Sequence, residues 1–273
     1  MFLWEQGMLY PISVTAATGE SLMVIFGIPA YNEAGAVGSL IDSIDEAMTA
    51  ENLEYRILIV DDGSSDGTAA EVTARAEELP VTLVSHAENR GLAAAMRTAL
   101  AETVGIAADT DVIVSMDGDS THLPGLTPRM IRYIREGRDV AIASRYQPRS
   151  RTLGVPRHRQ VLSWGAGIIF RLAFPIPGVR DYTCGYRAYR AGALREAMRT
   201  WGSDLITEEG FACQVELLLR LSRLDAIMDE VPMILRYDQK VGASKMNVPR
   251  TVFQTLRLLL RERFGLGPRP GDA

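Results

Sequence analysis

Between residues 22 and 145 the chain alternates short apolar runs with longer stretches of helical period. Residues 22–28, 56–60, 81–85, 112–116 and 140–143 are rich in β-branched residues and carry apolar side chains at successive positions. Strands of this kind suit a parallel sheet buried on both faces, because a half-solvated strand would alternate apolar with polar. Residues 36–48, 68–78 and 92–103 read as the intervening helices, with Asp66-Gly67-Thr68 as turn and cap for the second. The rhythm predicts an α/β fold: a doubly wound, mostly parallel sheet with helices on both faces. Such sheets bind ligands at the carboxyl ends of their strands.

Polar motifs fall at those ends. Pro29-Ala30-Tyr31-Asn32-Glu33 follows the first strand, Asp61-Asp62-Gly63-Ser64-Ser65-Asp66-Gly67-Thr68 the second, and Asp117-Gly118-Asp119 the fourth. Two carboxylates that close repel by roughly 4 kcal/mol at about 4 Å and an effective dielectric of about 20. A hard divalent cation with oxygen ligands would relieve that repulsion; solvated loop acids are the plain alternative for any single motif. Three motifs converging on one rim point to an enzyme.

After residue 146 the pattern changes. Residues 147–159, rich in Pro, Arg and Ser, read as a mobile loop. Residues 161–177 are apolar but interrupted by Arg171 and Pro175, and 181–187 read as the entry to a strand. Residues 211–221 form a helix with Glu208 and Glu209 at its acidic start, and 226–235 form one or two strands broken at Pro232. Residues 248–264 form an amphipathic helix. The expected organisation is a loosely ordered leader over 1–21, a main domain over 22–247 with its halves meeting near 145, and a C-terminal helix and tail over 248–273.

The 273 residues are 47% hydrophobic, enough for one large domain or one domain plus appendages. No apolar run reaches the roughly 18–20 residues that span a bilayer, and the first twenty residues do not read as a signal peptide. Cys184 and Cys213 form neither a metal spacing nor a disulfide framework, which fits a reducing cytoplasm. The net charge of −5 conceals a polarity: residues 1–120 carry 4 Lys/Arg against 20 Asp/Glu, and residues 121–273 carry 25 against 14. An acidic half can hold a metal and a basic half can face an anion, although the two can also simply neutralise each other. No nucleic-acid-binding motif is present.

Taken together, Pro29 to Glu33, Val60 to Thr68, Asn89-Arg90-Gly91-Leu92, Met116 to Asp119 and Ser144-Arg145-Tyr146 resemble a family 2 glycosyltransferase of the GT-A fold. Asp181 to Arg187 with Ala188-Tyr189-Arg190, Phe211 to Glu216, Glu230-Val231-Pro232 and Gly242-Ala243-Ser244-Lys245 resemble its dolichol-phosphate mannose synthase branch. The likeness covers roughly residues 22–250 in order. It implies an acceptor-side C-terminal extension to the sheet and a nucleotide site formed by Pro29, Tyr31, Glu33, Asp61, Gly91 and Asp117. It also implies Mg²⁺ or Mn²⁺ held by Asp119 and Asp117. The family often has Gln two residues after the second Asp, where this chain has Thr121; His122 is then either a substitute ligand or a structural residue.

The implied reaction is an inverting hexosyl transfer, with mannose from GDP-mannose favoured, onto a polyprenyl or dolichyl phosphate. A phosphate monoester is mostly dianionic at neutral pH, so it attacks without a base and needs cations to place it. Arg145, Arg187, Arg236 and Lys245, with Ser244, are the candidates for that task, and Asp117, Asp119, Arg145 and Arg187 the candidates for catalysis. Asp181, Gln214 and Glu216 are possible supports. Lys245 also fits a solvated loop lysine, and Arg187 a structural ion pair with Asp181. UDP-glucose or another donor with a different lipid or soluble acceptor is the near alternative; a non-catalytic nucleotide-sugar sensor or a phosphorylated receiver is the distant one. No Gln-x-x-Arg-Trp motif surrounds Trp4, Trp164 or Trp201, which disfavours a processive synthase. The helix over 248–264 either lies in a membrane interface or packs on the sheet, and residues 164–174 are the better candidate for touching lipid. The expected location is cytoplasmic, with peripheral attachment at the inner membrane face as an option.

Overall fold

The computed structural model describes residues 22–240, 248–264 and 266–268. The expected leader and the segment with Ser244 and Lys245 lie outside the described residues. The first half follows the pattern: β1 (Met23–Ala30), α1 (Val37–Ala50), β2 (Glu54–Asp61), α2 (Thr68–Ala76), β3 (Val81–Ser85), α3 (Leu92–Ile106) and β4 (Val112–Ser115). β2 pairs in parallel with β1 and β3, and β1 with β4. Val24, Ile25, Phe26 and Ile28 of β1 are buried, as their unbroken apolar run requires.

The second half contains α4 (Thr127–Arg135), β5 (Val140–Ser144), β6 (Arg151–Leu153), α5 (Arg157–Ala173), β7 (Arg187–Arg190), α6 (Ala191–Trp201), α7 (Ala212–Ser222), β8 (Met228–Pro232), β9 (Ile234–Arg236) and α8 (Val248–Arg263). The seven-stranded sheet has the order β3-β2-β1-β4-β7-β5-β8, with β7 antiparallel to both neighbours. β6 and β9 form a separate parallel pair. An antiparallel strand enters the sheet at the rim where its parallel neighbours leave it. The turn before β7 therefore joins the loops that follow β1, β2, β4 and β5.

Several expectations change. Residues 147–159 are not one loop: they contain β6 and the first turn of α5. The 226–235 segment is two strands in two sheets, because the proline of Pro232 ends β8 and the chain crosses above the rim as β9. α4 and α6 were not predicted; both are short and mix charged residues with their apolar stripes.

α8 packs against the body through Leu258, Leu259 and Glu262, all buried. Glu262 and Arg261 join Glu216, Arg220 and Arg223 of the α7 region in an ion-pair cluster. The opposite stripe of α8, Phe253, Leu256 and Leu260, is exposed, as is Phe264 just after the helix. α5 touches α8 and also exposes Trp164, Ile169 and Leu172. Among the described residues no helix is long and apolar enough to cross a membrane.

Candidate active site

Most polar residues of the first two motifs tie the rim loops to one another. Asn32 N–H donates to Ser64 Oγ (2.8 Å), Glu33 N–H to Thr68 Oγ1 (2.9 Å) and Ala34 N–H to Asp66 Oδ2 (3.1 Å). Ser65 N–H returns a bond to Asn32 Oδ1 (2.9 Å). The two adjacent aspartates divide their work. Asp61 accepts from Ser64 N–H (3.1 Å), whereas Asp62 accepts from His86 Nδ1 (2.7 Å, taken as donor), Arg90 N–H (3.0 Å) and Gly91 N–H (2.7 Å). Asp62 is thus the clamp for the Asn89-Arg90-Gly91 loop. Gly63 sits at φ +69°, and a Cβ there would lie 2.5 Å from the Glu88 carbonyl carbon; only glycine lets these loops meet so closely.

Asp117 and Asp119 follow β4 beside the β1 loop: a Cβ on Gly118 would lie 3.2 Å from Pro29 O. Asp117 N–H donates to His122 Nδ1 (3.3 Å), and His122 Nε2 stands 3.9 Å from Asp117 Oδ2. His122 is buried and stacks on Tyr186 at 5.2 Å, which fits the structural role. Thr121 donates to Asp119 Oδ1 through its hydroxyl (2.7 Å) and N–H (3.1 Å), orienting that carboxylate. The other oxygen of Asp119 is paired with the ammonium of Lys240, delivered by the chain that crosses the rim after β9. Burial raises the Asp117 carboxyl above its ordinary value against the pull of His122, with Asp119 adding to the rise. Burial also works against an ionised Asp119, but Lys240, His122 and Thr121 overcome it and hold this carboxyl low.

On the other side of Asp117 lies the turn before β7. A Cβ on Gly185 would fall 3.1 Å from Asp117 Oδ1 and 2.9 Å from Gln214 Nε2, so the absence of a side chain here lets both side chains approach this turn. Gln214 Nε2 lies 3.0 Å from Met96 Sδ, and its Oε1 has no hydrogen-bond partner. Arg145, at the end of β5, grips the buried Asp181 through Nε (2.8 Å) and Nη2 (2.6 Å), with its N–H also donating (3.0 Å). Nη2 adds a bond to Thr183 Oγ1 at 2.6 Å. Burial would raise the Asp181 carboxyl, yet the Arg145 guanidinium outweighs it and holds the group below the usual range.

Other candidates are displaced from the reaction. Arg187 is 0% exposed; Nη1 and Nη2 donate to the carbonyls of Gln214 (2.7 Å) and Tyr182 (2.8 Å). Its place in a central strand turns it into the core, where its bonds go to main-chain carbonyls, and the ion-pair partner of Asp181 is Arg145. Glu216 accepts from Thr207, Glu208, Arg220 and Arg261. It supports α8 and orients none of Arg145, Arg187 or Arg236. Arg236 is at the rim, its N–H donating to Thr121 O (2.9 Å), with its side chain on Asp238. Lys240 is the residue that sequence reasoning missed. The chain has only two lysines, so the signal existed, but the family-like Gly-Ala-Ser-Lys drew notice to Lys245.

No group of three or more His, Cys, Asp or Glu in metal-binding array occurs among the described residues. Asp117 and Asp119 nevertheless suit Mg²⁺ or Mn²⁺, which take few protein ligands and complete their shell with water and substrate phosphates. The ammonium already seated on Asp119 shows that this position favours a cation.

Residues 26–198 match the model of Glycosyl transferase family 2. The chain is 32% identical over 92% of its length to undecaprenyl-phosphate mannosyltransferase of Micrococcus luteus, covering all of that protein. It is 30% identical over 95% of its length to polyprenol monophosphomannose synthase of Mycolicibacterium smegmatis, covering 94% of it. With dolichol-phosphate mannosyltransferase of Pyrococcus furiosus it shares 31% identity over 86% of its length, spanning 62% of that protein. Among solved structures, glucosyl-3-phosphoglycerate synthase of Mycobacterium tuberculosis, in complex with Mn²⁺, UDP-glucose and phosphoglyceric acid, superposes with a TM-score of 0.66. The match is at 17% identity and covers 97% of this chain and 87% of that one, establishing the fold as GT-A.

Proposed function

The chain belongs to Glycosyl transferase family 2, and from that premise we propose that it moves a mannosyl unit from a nucleoside diphosphate onto a polyprenyl phosphate. The observation that carries this reading is the placement of Asp117 and Asp119 between two distinct sets of groups. On one side Gly118 abuts Pro29 of the β1 loop, and Pro29, Tyr31, Glu33, Asp61 and Gly91 on these tied loops we assign to the nucleotide. On the other, Arg145 acts electrostatically on Asp117 and Arg236 N–H is bonded to Thr121 O, and these two arginines we assign to the acceptor phosphate. Ser244 and Lys245 are assigned to the same phosphate from sequence alone. The names of three relatives, each of a mannose transfer or mannose-phosphate synthesis on a polyprenol or dolichol, support mannose over glucose as the sugar. GDP-mannose is the donor we favour, its nucleotide resting on the family resemblance alone.

Asp119 and Asp117 would hold Mg²⁺ or Mn²⁺ against the donor diphosphate. When bound, the ion supplies Lewis-acid neutralisation of the departing diphosphate. Thr121 fixes the Asp119 carboxylate, and the tied loops after β1 and β2 hold the nucleoside in register. Arg145, itself oriented by Asp181 and Thr183, steers the acceptor dianion toward the anomeric carbon. No carboxylate base is required, since a phosphate monoester is largely dianionic at neutral pH. The committed bonds of Glu216 agree with that.

We assign the exposed apolar stripes of α5 and α8 to a lipid surface, where a polyprenyl phosphate resides; attachment is peripheral. The test is transfer of radiolabelled sugar from GDP-mannose and from UDP-glucose into an organic-extractable product, with and without undecaprenyl phosphate and Mn²⁺. Label should move from GDP-mannose only when acceptor and metal are both present. Asp119→Asn should lower the rate by about 10²–10³-fold, the scale seen when one electrostatic stabiliser is removed, with little change in Tm. Equal label transfer without lipid phosphate would refute the assignment.

A further inference from the structure

Lys240 has no assigned role in the reaction just described. Its ammonium pairs with Asp119, and the two side chains are only 12% and 13% exposed. Glu33 and Asp117 also act on it electrostatically, so the lysine lies in the field of the acidic groups that follow β1 and β4. The placement is built into the fold. Arg236 N–H is bonded to Thr121 O, two residues beyond Asp119, and the turn at Tyr237–Gln239 carries the chain on to Lys240. Gly154, at φ +77°, lets the neighbouring loop approach that turn: a Cβ there would lie 2.6 Å from Asp238 N. Lys240 also stands 5.9 Å from the centre of the Tyr237 ring.

We propose that Lys240 is an internal cation that holds the divalent ion's position on Asp119 in the donor-free enzyme and yields it only when metal arrives together with a nucleoside diphosphate. A dication alone must displace an ammonium already compensating the same carboxylate. A dication with a diphosphate brings anionic oxygens that can receive the displaced ammonium, so exchange then leaves no charge uncompensated. Metal uptake is thereby coupled to donor binding. The inference rests on the proposed reading in one respect, that Asp119 is a metal ligand.

Mn²⁺ binding measured by electron paramagnetic resonance, without nucleotide, tests the exchange. If the lysine-paired form makes up nine-tenths of the protein, Lys240→Met should bind Mn²⁺ about tenfold more tightly than wild type. Lys240→Arg should remain weak, and the difference should shrink when GDP or UDP is added. Equal affinity of wild type and Lys240→Met would overturn the proposal. Binding by neither, even with GDP and UDP, would instead refute the metal reading beneath it.

A second readout does not depend on that variant keeping its fold. Because the chain has two lysines, selective ¹⁵N labelling at Nζ gives two side-chain signals, assigned by Lys245→Met. One should be protected in the metal-free protein and should shift on addition of Mg²⁺ and GDP, as its partner changes from the Asp119 carboxylate to a diphosphate oxygen. Two exposed-type signals at the outset, or a protected signal that Mg²⁺ and GDP leave unmoved, would overturn the exchange.

Discussion

Asp181 decides how Arg145 can act. A guanidinium left alone at the rim would sample many rotamers, whereas two guanidinium bonds to one carboxylate and one to Thr183, with the Arg145 backbone N–H on the same carboxylate, present it in a single orientation. Burial disfavours the Asp181 charge, but Arg145 more than restores it, so the folded carboxyl titrates below its ordinary value of about 3.9. The sign follows directly. A depressed folded value contributes stability that is complete above the unfolded value and is lost as pH falls through the folded one. This group should therefore add no slope between pH 8 and 5, and its contribution should fall away only below about pH 4. Asp181→Asn, which leaves Arg145 without a counter-charge, should cost about 3 kcal/mol at pH 7. Urea unfolding at pH 7, 5 and 3.5 checks both statements: the variant should lose this part of the acid-side decline. A wild-type stability that changed between pH 7 and 5 through this residue would contradict the assignment.

At the scale of elements, the buried cluster between α7 and α8 gives Glu216 a structural task. Its two oxygens serve Thr207, Glu208, Arg220 and Arg261, and Arg220 is itself 0% exposed. Glu216→Ala should destabilise the fold by about 3–5 kcal/mol, because it strands buried guanidinium charge. It should leave kcat per folded molecule close to wild type; a collapsed kcat with unchanged Tm would make it a catalytic group after all. Legibility followed the physics of each element. β1, β2, β4 and their loops were readable because doubly buried strands are unbroken apolar runs and their polar ends stand out. β7 was not readable as an antiparallel insertion, since Arg187, Ala188, Tyr189 and Arg190 mix charge with apolar residues and pairing direction leaves no local pattern. Arg187 misled for the same reason: an arginine bonded to main-chain carbonyls in the core is written like one at a phosphate site. The ion pair between Lys240 and Asp119 joins residues 121 positions apart, a distance over which sequence spacing carries no information.

For the whole molecule, the sheet gathers one rim from the loops after β1 to β5, the turn before β7 and the chain after β9, while α5 and α8 expose an apolar surface. Leu172 is 80% exposed, Phe264 71% and Phe253 68%, and among the described residues nothing covers them. Replacing Leu260 and Phe264 together with Glu should abolish flotation with vesicles of mixed anionic and neutral lipid, while leaving the protein folded. It should raise the apparent KM for a long polyprenyl phosphate more than for a short water-soluble one. Unchanged flotation would place lipid contact on another face. The central claim is that the carboxylates at the end of β4 hold a metal–diphosphate between a nucleotide side and a phosphate side. The most direct measurement is a crystal soaked with Mn²⁺ and GDP or UDP, with anomalous data collected at the manganese edge. The account predicts a peak bridging Asp119 and the diphosphate, the base beside Asp61, and Lys240 withdrawn from the carboxylate. A nucleotide seated elsewhere, or one bound beside Asp61 with no peak at Asp119, would contradict it.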